Sequence, residues 1–478
     1  MSMLKEKAPK TKKQIILDMT LIEGHMNVIV DVDSGVIKDA RVQGIDSRYF
    51  EKFCEGLPID DLPKITPRIC GLCSASHHVA SAMAVDGVYG IEIPERAKLI
   101  RKAINYGIIL NNHVLHLIMM GFPDLLLKGK ARSMLKLMTV DKDLVQQGMK
   151  LVKLGHEAVR VFGGRDIHPV RAMGGGVAKP PTEEELKLFE KMLKDHKPVL
   201  EDFVKRALEK LSQVEDLIKY YPNGTEYFAA VVSGKNVDYY EGKLRIVDQK
   251  GNVVSEVEPI DYQKAVDEHS FDWTYIKPVT VKGEGYPKGA IRVGPIARVN
   301  ITDNLGTPWA DELLEDFRKK HGRYAWHPLL YHEARVIESV HMFELLEDLL
   351  KMPELREGPY LIDGEEMKNE RGVGLTEAPR GVLIHDVQAK EEEGEIRVNR
   401  FNIITPTAIN ATAMENDLRK LLVGKSLSDV ENELYSMVSS VIRSYDPCMA
   451  CATHSVSKGP SLKIKIVEKG KVIKVIKA

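Results

Sequence analysis

Four of the five cysteines stand in two C-x-x-C pairs, Cys70/Cys73 and Cys448/Cys451, towards opposite ends of a 478-residue chain. Thiols at that spacing bind soft metals or do redox chemistry, and five cysteines in a chain this long build no disulfide scaffold. Each pair follows a helix-start signal, Thr66-Pro67 for the first and Asp446-Pro447 for the second. The positive end of a helix dipole favours the thiolate, the form a metal needs. At i, i+3 spacing both sulfurs of a pair are expected on one helix face, with His77 on the same face and His454 three residues beyond the second pair. Three chemistries compete: a structural zinc tetrahedron, a dithiol switch, and a four-thiolate site joining the two ends of the chain around a soft, redox-active metal. Zinc pairs usually lie tens of residues apart, and a dithiol switch needs a βαβ setting that the sequence lacks. Spacing alone favours the third only modestly.

The flanking residues decide. RICGLCSASHH (68–78) and DPCMACATH (446–454) resemble the two cysteine motifs of nickel–iron hydrogenase large subunits. Further landmarks follow in order: IEGH (22–25), RYFEKFCEG (48–56), GGRDIHP (163–169), EAPRG (377–381) and ITPT (404–407). Within the family the chain looks like the cytoplasmic methyl-viologen-reducing type that does not reduce deazaflavin.

That resemblance implies nickel bound by Cys70, Cys73, Cys448 and Cys451, with Cys73 and Cys451 also bridging to an iron that carries one carbon monoxide and two cyanides. Dihydrogen would be split heterolytically between the metals, so a base and a proton exit are needed. Glu23 is implied as acceptor of a proton from the terminal thiolate Cys448, and Arg380, beside Pro379, as the buried cation above the iron. Thr407 would hydrogen-bond a cyanide; taken alone it reads as a helix cap. His77 would orient the bridging sulfur, and Asp446 would help hold Arg380. Glu51, His454 and the carbonyl of Ile403 match ligands of a magnesium ion. Two positions depart from the family pattern: Leu21 stands where an arginine is usual, and Asn112 where many members place an aspartate. Cys54 matches no motif and reads as a small core residue.

The elements that must position these groups are mostly helical. Helices are predicted at 47–55, from Thr66 through the first cysteine pair to Val85, and at 94–121, 142–162, 183–220, 309–321, 328–351, 407–421 and 427–444. Strands are predicted at 26–32 and 36–42 around Asp33-Ser34-Gly35, at 243–257 around Lys250-Gly251-Asn252, and within 372–404 around the charged turn 391–395. The expected fold is α+β, mainly α: a central helical bundle with small peripheral antiparallel sheets, the fold of the resembled large subunits. One catalytic domain is expected over 1–454. Residues 455–478 read as a C-terminal extension, a hairpin and a propeptide to be removed after His454 by a maturation protease.

A net charge of −1 speaks against nucleic acid as a partner. No run is long and apolar enough to span a bilayer, and the basic N-terminus lacks a secretory core, so the cytoplasm is expected. With no cysteines left for iron–sulfur clusters, electrons are expected to leave through an iron–sulfur small subunit. Heterodisulfide reductase would follow, reached through a further electron-transfer subunit. Deazaflavin- or NAD(P)-linked hydrogenases remain alternatives. So does a non-catalytic subunit like that of complex I, although such a protein would be expected to have lost part of its cysteine set.

Overall fold

The computed structural model describes residues 12–47, 49–127, 132–362, 364, 366–453, 463–468 and 471–477, with Lys12 and the last two stretches as backbone only. The chain opens with a three-stranded antiparallel sheet, β1 (Lys12–Met19), β2 (Met26–Asp33) and β3 (Val36–Gly44). Its second turn is made at Ser34 and Gly35, both at positive φ. A short helix α1 (Phe50–Cys54) follows, ended by Gly56 at φ +85°.

The first cysteine pair departs from expectation. Thr66-Pro67 opens a 3-10 turn, Thr66–Ile69, and Cys70 is extended at φ −149° and ψ 138°. The helix proper, α2 (Ser74–Tyr89), begins after Cys73, which is its N-cap. The two sulfurs therefore do not share a helix face. They project from a bend that feeds the helix N-terminus, where the first N–H groups have no partners of their own.

Three long helices pack behind this bend: α3 (Glu95–His116), α4 (Lys142–Gly163) and, capped by a Thr182/Glu185 capping box, α5 (Glu183–Ser212). α3 runs on through a π-helical turn, Leu117–Gly121, and is buried around most of its circumference. It crosses α4 at glycine: a Cβ on Gly155 would sit 2.7 Å from both the Asn111 nitrogen and the Gly107 carbonyl oxygen. The expected helix 183–220 ends at Ser212, and a separate short helix takes up 215–220.

A second sheet holds β4 (Tyr227–Ser233), β5 (Lys243–Asp248) and β6 (Val253–Val257), the last two turning at Gly251 as expected. The two-residue strand β7 (Ile291–Arg292) joins β4 in parallel, the one pairing of that sense among the named strands. Then come α6 (Pro295–Ile301), α7 (Pro308–His321) and α8 (Tyr331–Lys351), which lies against α3. A third antiparallel sheet, β8 (Arg371–Ala378), β9 (Gly381–Glu392) and β10 (Glu395–Ile404), packs on α2. It has the expected charged turn and a second, tight turn made by Pro379 and Arg380.

The chain closes through α9 (Pro406–Leu422), α10 (Leu434–Ser444) and the one-turn helix α11 (Met449–Ala452), with Cys448 as its N-cap. The expected helix 427–444 is broken into Leu427–Val430 and α10. In the tail, Lys463–Glu468 and Lys471–Lys477 pair antiparallel, as the alternating pattern suggests. No helix among the described residues is long and apolar enough to cross a membrane.

Candidate metal centre

The four paired cysteines converge. The ligand atoms of Cys70, Cys73, Cys448 and Cys451 all lie within 4.8 Å of one another, and all four residues are buried. Cys73 and Cys451 are 3.3 Å apart, Cys70 and Cys448 3.4 Å, and Cys448 and Cys451 2.8 Å. Metal–sulfur bonds of about 2.3 Å set tetrahedral sulfur–sulfur edges of about 3.8 Å, so the short edges would widen by about 1 Å or less around one soft cation. Hydrogen bonds from Cys448, Cys451 and Cys70, joined by one from His77, hold Cys73 well below the usual thiol range. Burial pushes Cys448 and Cys451 well above it. A dry cluster that resists full ionisation is one in which a metal must displace protons to bind.

Backbone contacts between distant segments bring the second pair to the first. Glu23 and Cys448 form a parallel β-bridge, and the Met449 N–H donates to the Glu23 carbonyl at 2.7 Å. Gly24, at φ +78°, makes that approach possible: a Cβ there would lie 2.9 Å from the Cβ of Met449. Glu23 is thereby set beside Cys448, half-buried. The Thr407 hydroxyl accepts from the Cys448 N–H at 3.0 Å, which leaves its own proton to donate. Thr407 is not the helix cap; Thr405 fills that role, accepting from the Ala408 N–H.

Arg380 lies across the cluster. Its Nε donates to the Asp446 carbonyl oxygen and its Nη2 to the Asp446 carboxylate at 3.0 Å. Asp446 can offer both because it sits in the left-handed region, at φ +55°. Burial opposes the charge on Arg380, but Asp446 and the nearby sulfurs of Cys448, Cys73 and Cys70 raise its pKa well above the ordinary arginine value. Arg380 Nη1 is buried with no partner among the described residues. An orphaned donor on a cation facing thiolates suits a metal centre that carries its own anionic ligands.

The other expected residues fall into place unevenly. His77 hydrogen-bonds Cys73 and, through Nδ1, meets His385 Nε2 at 2.9 Å; His385 in turn reaches Ser81 at 2.8 Å. Asn112 stretches 3.5 Å to the Leu72 carbonyl, and its Oδ1 has no partner among the described residues. Glu51 accepts from the Ile403 N–H at 2.9 Å and lies 3.9 Å from the Lys277 ammonium. Glu51 and Ile403 line a small pocket with Cys451 and Thr453. His454 lies outside the described residues. Cys54 is buried away from the cluster, its thiol pushed up to about 12 by burial and then by Glu51.

Sequence reasoning missed three buried partners: His385, Arg298 and Glu338. Each is a polar residue inside an apolar run, as in Pro295-Ile296-Ala297-Arg298-Val299. That signals a paired interior group without naming the pair.

The geometry accords with the comparisons. A family model described as nickel-dependent hydrogenase matches residues 48–125 and 238–454. A vhc subunit of the F420-non-reducing hydrogenase of Methanococcus voltae is 34% identical over 97% of this chain and 100% of its own length. The NAD-reducing hydrogenase HoxS subunit beta of Cupriavidus necator is 30% identical over 94% of this chain and 96% of its own. A crystal structure of an NAD+-reducing NiFe-hydrogenase in the H2-reduced state superposes with a TM-score of 0.86 at 30% identity, covering 93% of this chain and all of that one. Motifs, fold and four-sulfur cluster thus agree, and the chain belongs to the nickel-dependent hydrogenase family as a large subunit, an oxidoreductase.

Proposed function

We propose that this chain activates dihydrogen at a centre held by Cys70, Cys73, Cys448 and Cys451: all four would hold nickel, and Cys73 and Cys451 would also hold an iron bearing one carbon monoxide and two cyanides. The single observation that carries this reading is the gathering of the four sulfurs within 4.8 Å in a buried cluster. When bound, the metals would supply the electron-rich site at which dihydrogen is polarised. The chain supplies the rest. Arg380, anchored by Asp446 and joined to Pro379, has a spare Nη1 that would donate to a cyanide, and the Thr407 hydroxyl would donate to the other. Asn112, where many family members place an aspartate, brings no second carboxylate, so Asp446 is the one that pairs with Arg380 among the described residues. Glu23, set beside Cys448 by the backbone bridge, takes the proton from that sulfur and passes it outward. His77 donates to the Cys73 sulfur and draws charge from it. Glu51, the Ile403 carbonyl and His454 hold magnesium, a reading supported by the pocket that Glu51 and Ile403 share.

Electrons leave through an iron–sulfur small subunit. The exposed apolar residues Ile45, Tyr49 and Phe53, with Ile167 and Val170, support a docking face beside the first cysteine pair. The loop carrying Ile167 and Val170 is tied to that segment: His168 Nδ1 bonds the Pro67 carbonyl at 2.9 Å and the His168 N–H bonds Ser74 Oγ at 3.2 Å. The 34% identity to F420-non-reducing subunits supports an acceptor other than F420, and we propose heterodisulfide reductase in the cytoplasm, reached through a further electron-transfer subunit. A nicotinamide-linked complex is the second reading, favoured by the TM-score of 0.86 to an NAD+-reducing enzyme. We place one catalytic domain over 1–454, with 455–478 removed by a maturation protease.

Anaerobic purification of the native complex tests these points together. Metal analysis is expected to give one nickel and one iron per chain, with infrared bands from carbon monoxide and cyanide. Cys451→Ala is expected to abolish both metal loading and hydrogen uptake. Glu23→Gln is expected to keep the metals while slowing turnover by about 10²-fold or more. Zinc in place of nickel, or full activity in Cys451→Ala, sinks the reading. The co-purifying subunits choose between acceptors, and a loaded chain whose mass still includes Ala478 refutes tail removal.

A further inference from the structure

Pro379 and Arg380 are the two residues of the turn between β8, which ends at Ala378, and β9, which starts at Gly381. A turn is the least constrained part of a hairpin, yet a group acting on a metal-bound ligand must be held to about 0.5 Å. Asp446 fixes only the tip of the Arg380 side chain. Something else must fix its root.

Arg298, on α6, supplies that grip. Its guanidinium carries five N–H groups and makes five hydrogen bonds. Two form a bidentate pair with Glu338 of α8, both at 2.6 Å. The other three go to consecutive residues running from the end of β8 into the turn: the Glu377 carboxylate at 2.7 Å, the Ala378 carbonyl at 3.0 Å and the Pro379 carbonyl at 3.2 Å. Glu338 is itself braced by His113 Nε2 and the Tyr239 hydroxyl, both at 2.8 Å. At Gly294, the N-cap of α6, a Cβ would stand 2.6 Å from the Arg380 carbonyl oxygen, so the helix end also abuts the turn.

We infer that Arg298 is a positioning residue for Arg380: by clasping the carbonyls of Ala378 and Pro379 against the Glu338 anchor, it sets where the Arg380 guanidinium meets the metal centre. The inference rests on the proposed role of Arg380. A buried ion pair could otherwise be a purely structural device, or even a net cost to stability. What separates the two is the direction of the spare bonds. The ion pairs need only Glu338 and Glu377, whereas the two remaining donors are spent on the Ala378 and Pro379 carbonyls that lead into Arg380.

Arg298→Lys in the complete complex keeps the charge but cannot span Glu338 and both carbonyls. It is compared with Arg380→Lys and with Arg101→Lys, which alters an equally buried arginine clasping Asp86, Met173 and Gly176 instead. Arg298→Lys is expected to load nickel and iron as wild type and to lower kcat by about ten- to hundredfold with little change in KM for dihydrogen. Its cyanide infrared bands are expected to move in the same direction as in Arg380→Lys, whereas Arg101→Lys is expected to lower the melting temperature without moving them. Wild-type bands and kcat in Arg298→Lys, with shifted bands in Arg380→Lys, overturn the inference alone. Unshifted bands in Arg380→Lys overturn the underlying reading of Arg380 as well. Should Arg298→Lys fail to accumulate, the neutral triple Arg298→Gln, Glu338→Gln and Glu377→Gln removes the carbonyl clasps without stranding either carboxylate that Arg298 pairs. The same band shift is then expected, and its absence is equally decisive.

Discussion

Glu415 illustrates how single residues in this core trade solvation for partners. It is fully buried, accepting from the Val42 N–H at 2.9 Å and the Tyr286 hydroxyl at 2.6 Å, with Arg419 at 3.5 Å and Asp39 nearby. Burial pushes its carboxyl up to about 7, further than Arg419 and the hydrogen bonds can pull it down. The folded value lies above the ordinary value of about 4.3, so the folded chain holds this proton more tightly than the unfolded one. Its contribution is therefore best at low pH and worsens as pH rises from about 4 to about 7. Glu415→Gln is expected to be more stable than wild type at pH 8, by roughly 1–3 kcal/mol, with little gain at pH 4. An equal gap in melting temperature at both pH values would rule this out. Glu377 is likewise pushed up to about 7 by burial, but it serves the turn that carries Arg380, so a substitution there mixes stability with function.

At the scale of elements, the centre depends on how closely α2 and β8 approach. α2 carries Cys73 at its N-cap and His77 in its first turns, and β8 leads directly to Arg380. The face of α2 that meets the strand is made of small residues, and the strand answers with glycine. A Cβ on Gly374 would fall 1.9 Å from the Ala80 carbonyl oxygen, and one on Gly372 2.0 Å from that of Ala84. These are backbone atoms, so no rotamer change relieves the clash, and the two elements must separate. Gly374→Val is expected to destabilise the chain by about 1–3 kcal/mol or more and to lower nickel and iron content in parallel. A Gly374→Val protein with wild-type metal content would show that the approach is not what sets the site. The strands expected within 372–404 around the charged turn are present. Why positions 372 and 374 lack side chains became visible only with α2 against them.

For the whole molecule, the site closes the chain upon itself. Cys448 and Cys451 lie in a segment held from several directions: by the Glu23 bridge, by Thr407, by Arg380 through Asp446, and by a bridge between Ile276 and Thr453. A ligand bound by both cysteine pairs adds its binding energy to this closure, because the unfolded chain cannot assemble the site. Chain grown without nickel is therefore expected to melt at a lower temperature than the loaded form. Residues 446–453 should also exchange their amide hydrogens faster, while the centre of α3 changes little. Equal protection of 446–453 in both forms would show that the closure needs no metal.

How much could be read beforehand follows from the range of each interaction. Local rules sufficed for the turns at Ser34-Gly35 and Gly251, for most of the long helices, and for the two cysteine motifs, because each depends on residues within a few positions of one another. They misplaced the start of α2, where Thr66-Pro67 looks like a helix cap but only a 3-10 turn forms. The chain must bend at Cys70 to bring its sulfur against those of Cys448 and Cys451, and that demand comes from the far end of the sequence. The same holds for Asp446 at φ +55°, which strains locally to serve Arg380, and for Arg298, whose five partners come from Glu338 and the 377–379 segment. The sequence by itself determined which chemistry this protein can do, since thiols, carboxylates and guanidinium carry their reactivity wherever they stand. Only the tertiary structure decided which groups meet, because buried charges and close-packed backbones are settled by partners that lie far away along the chain.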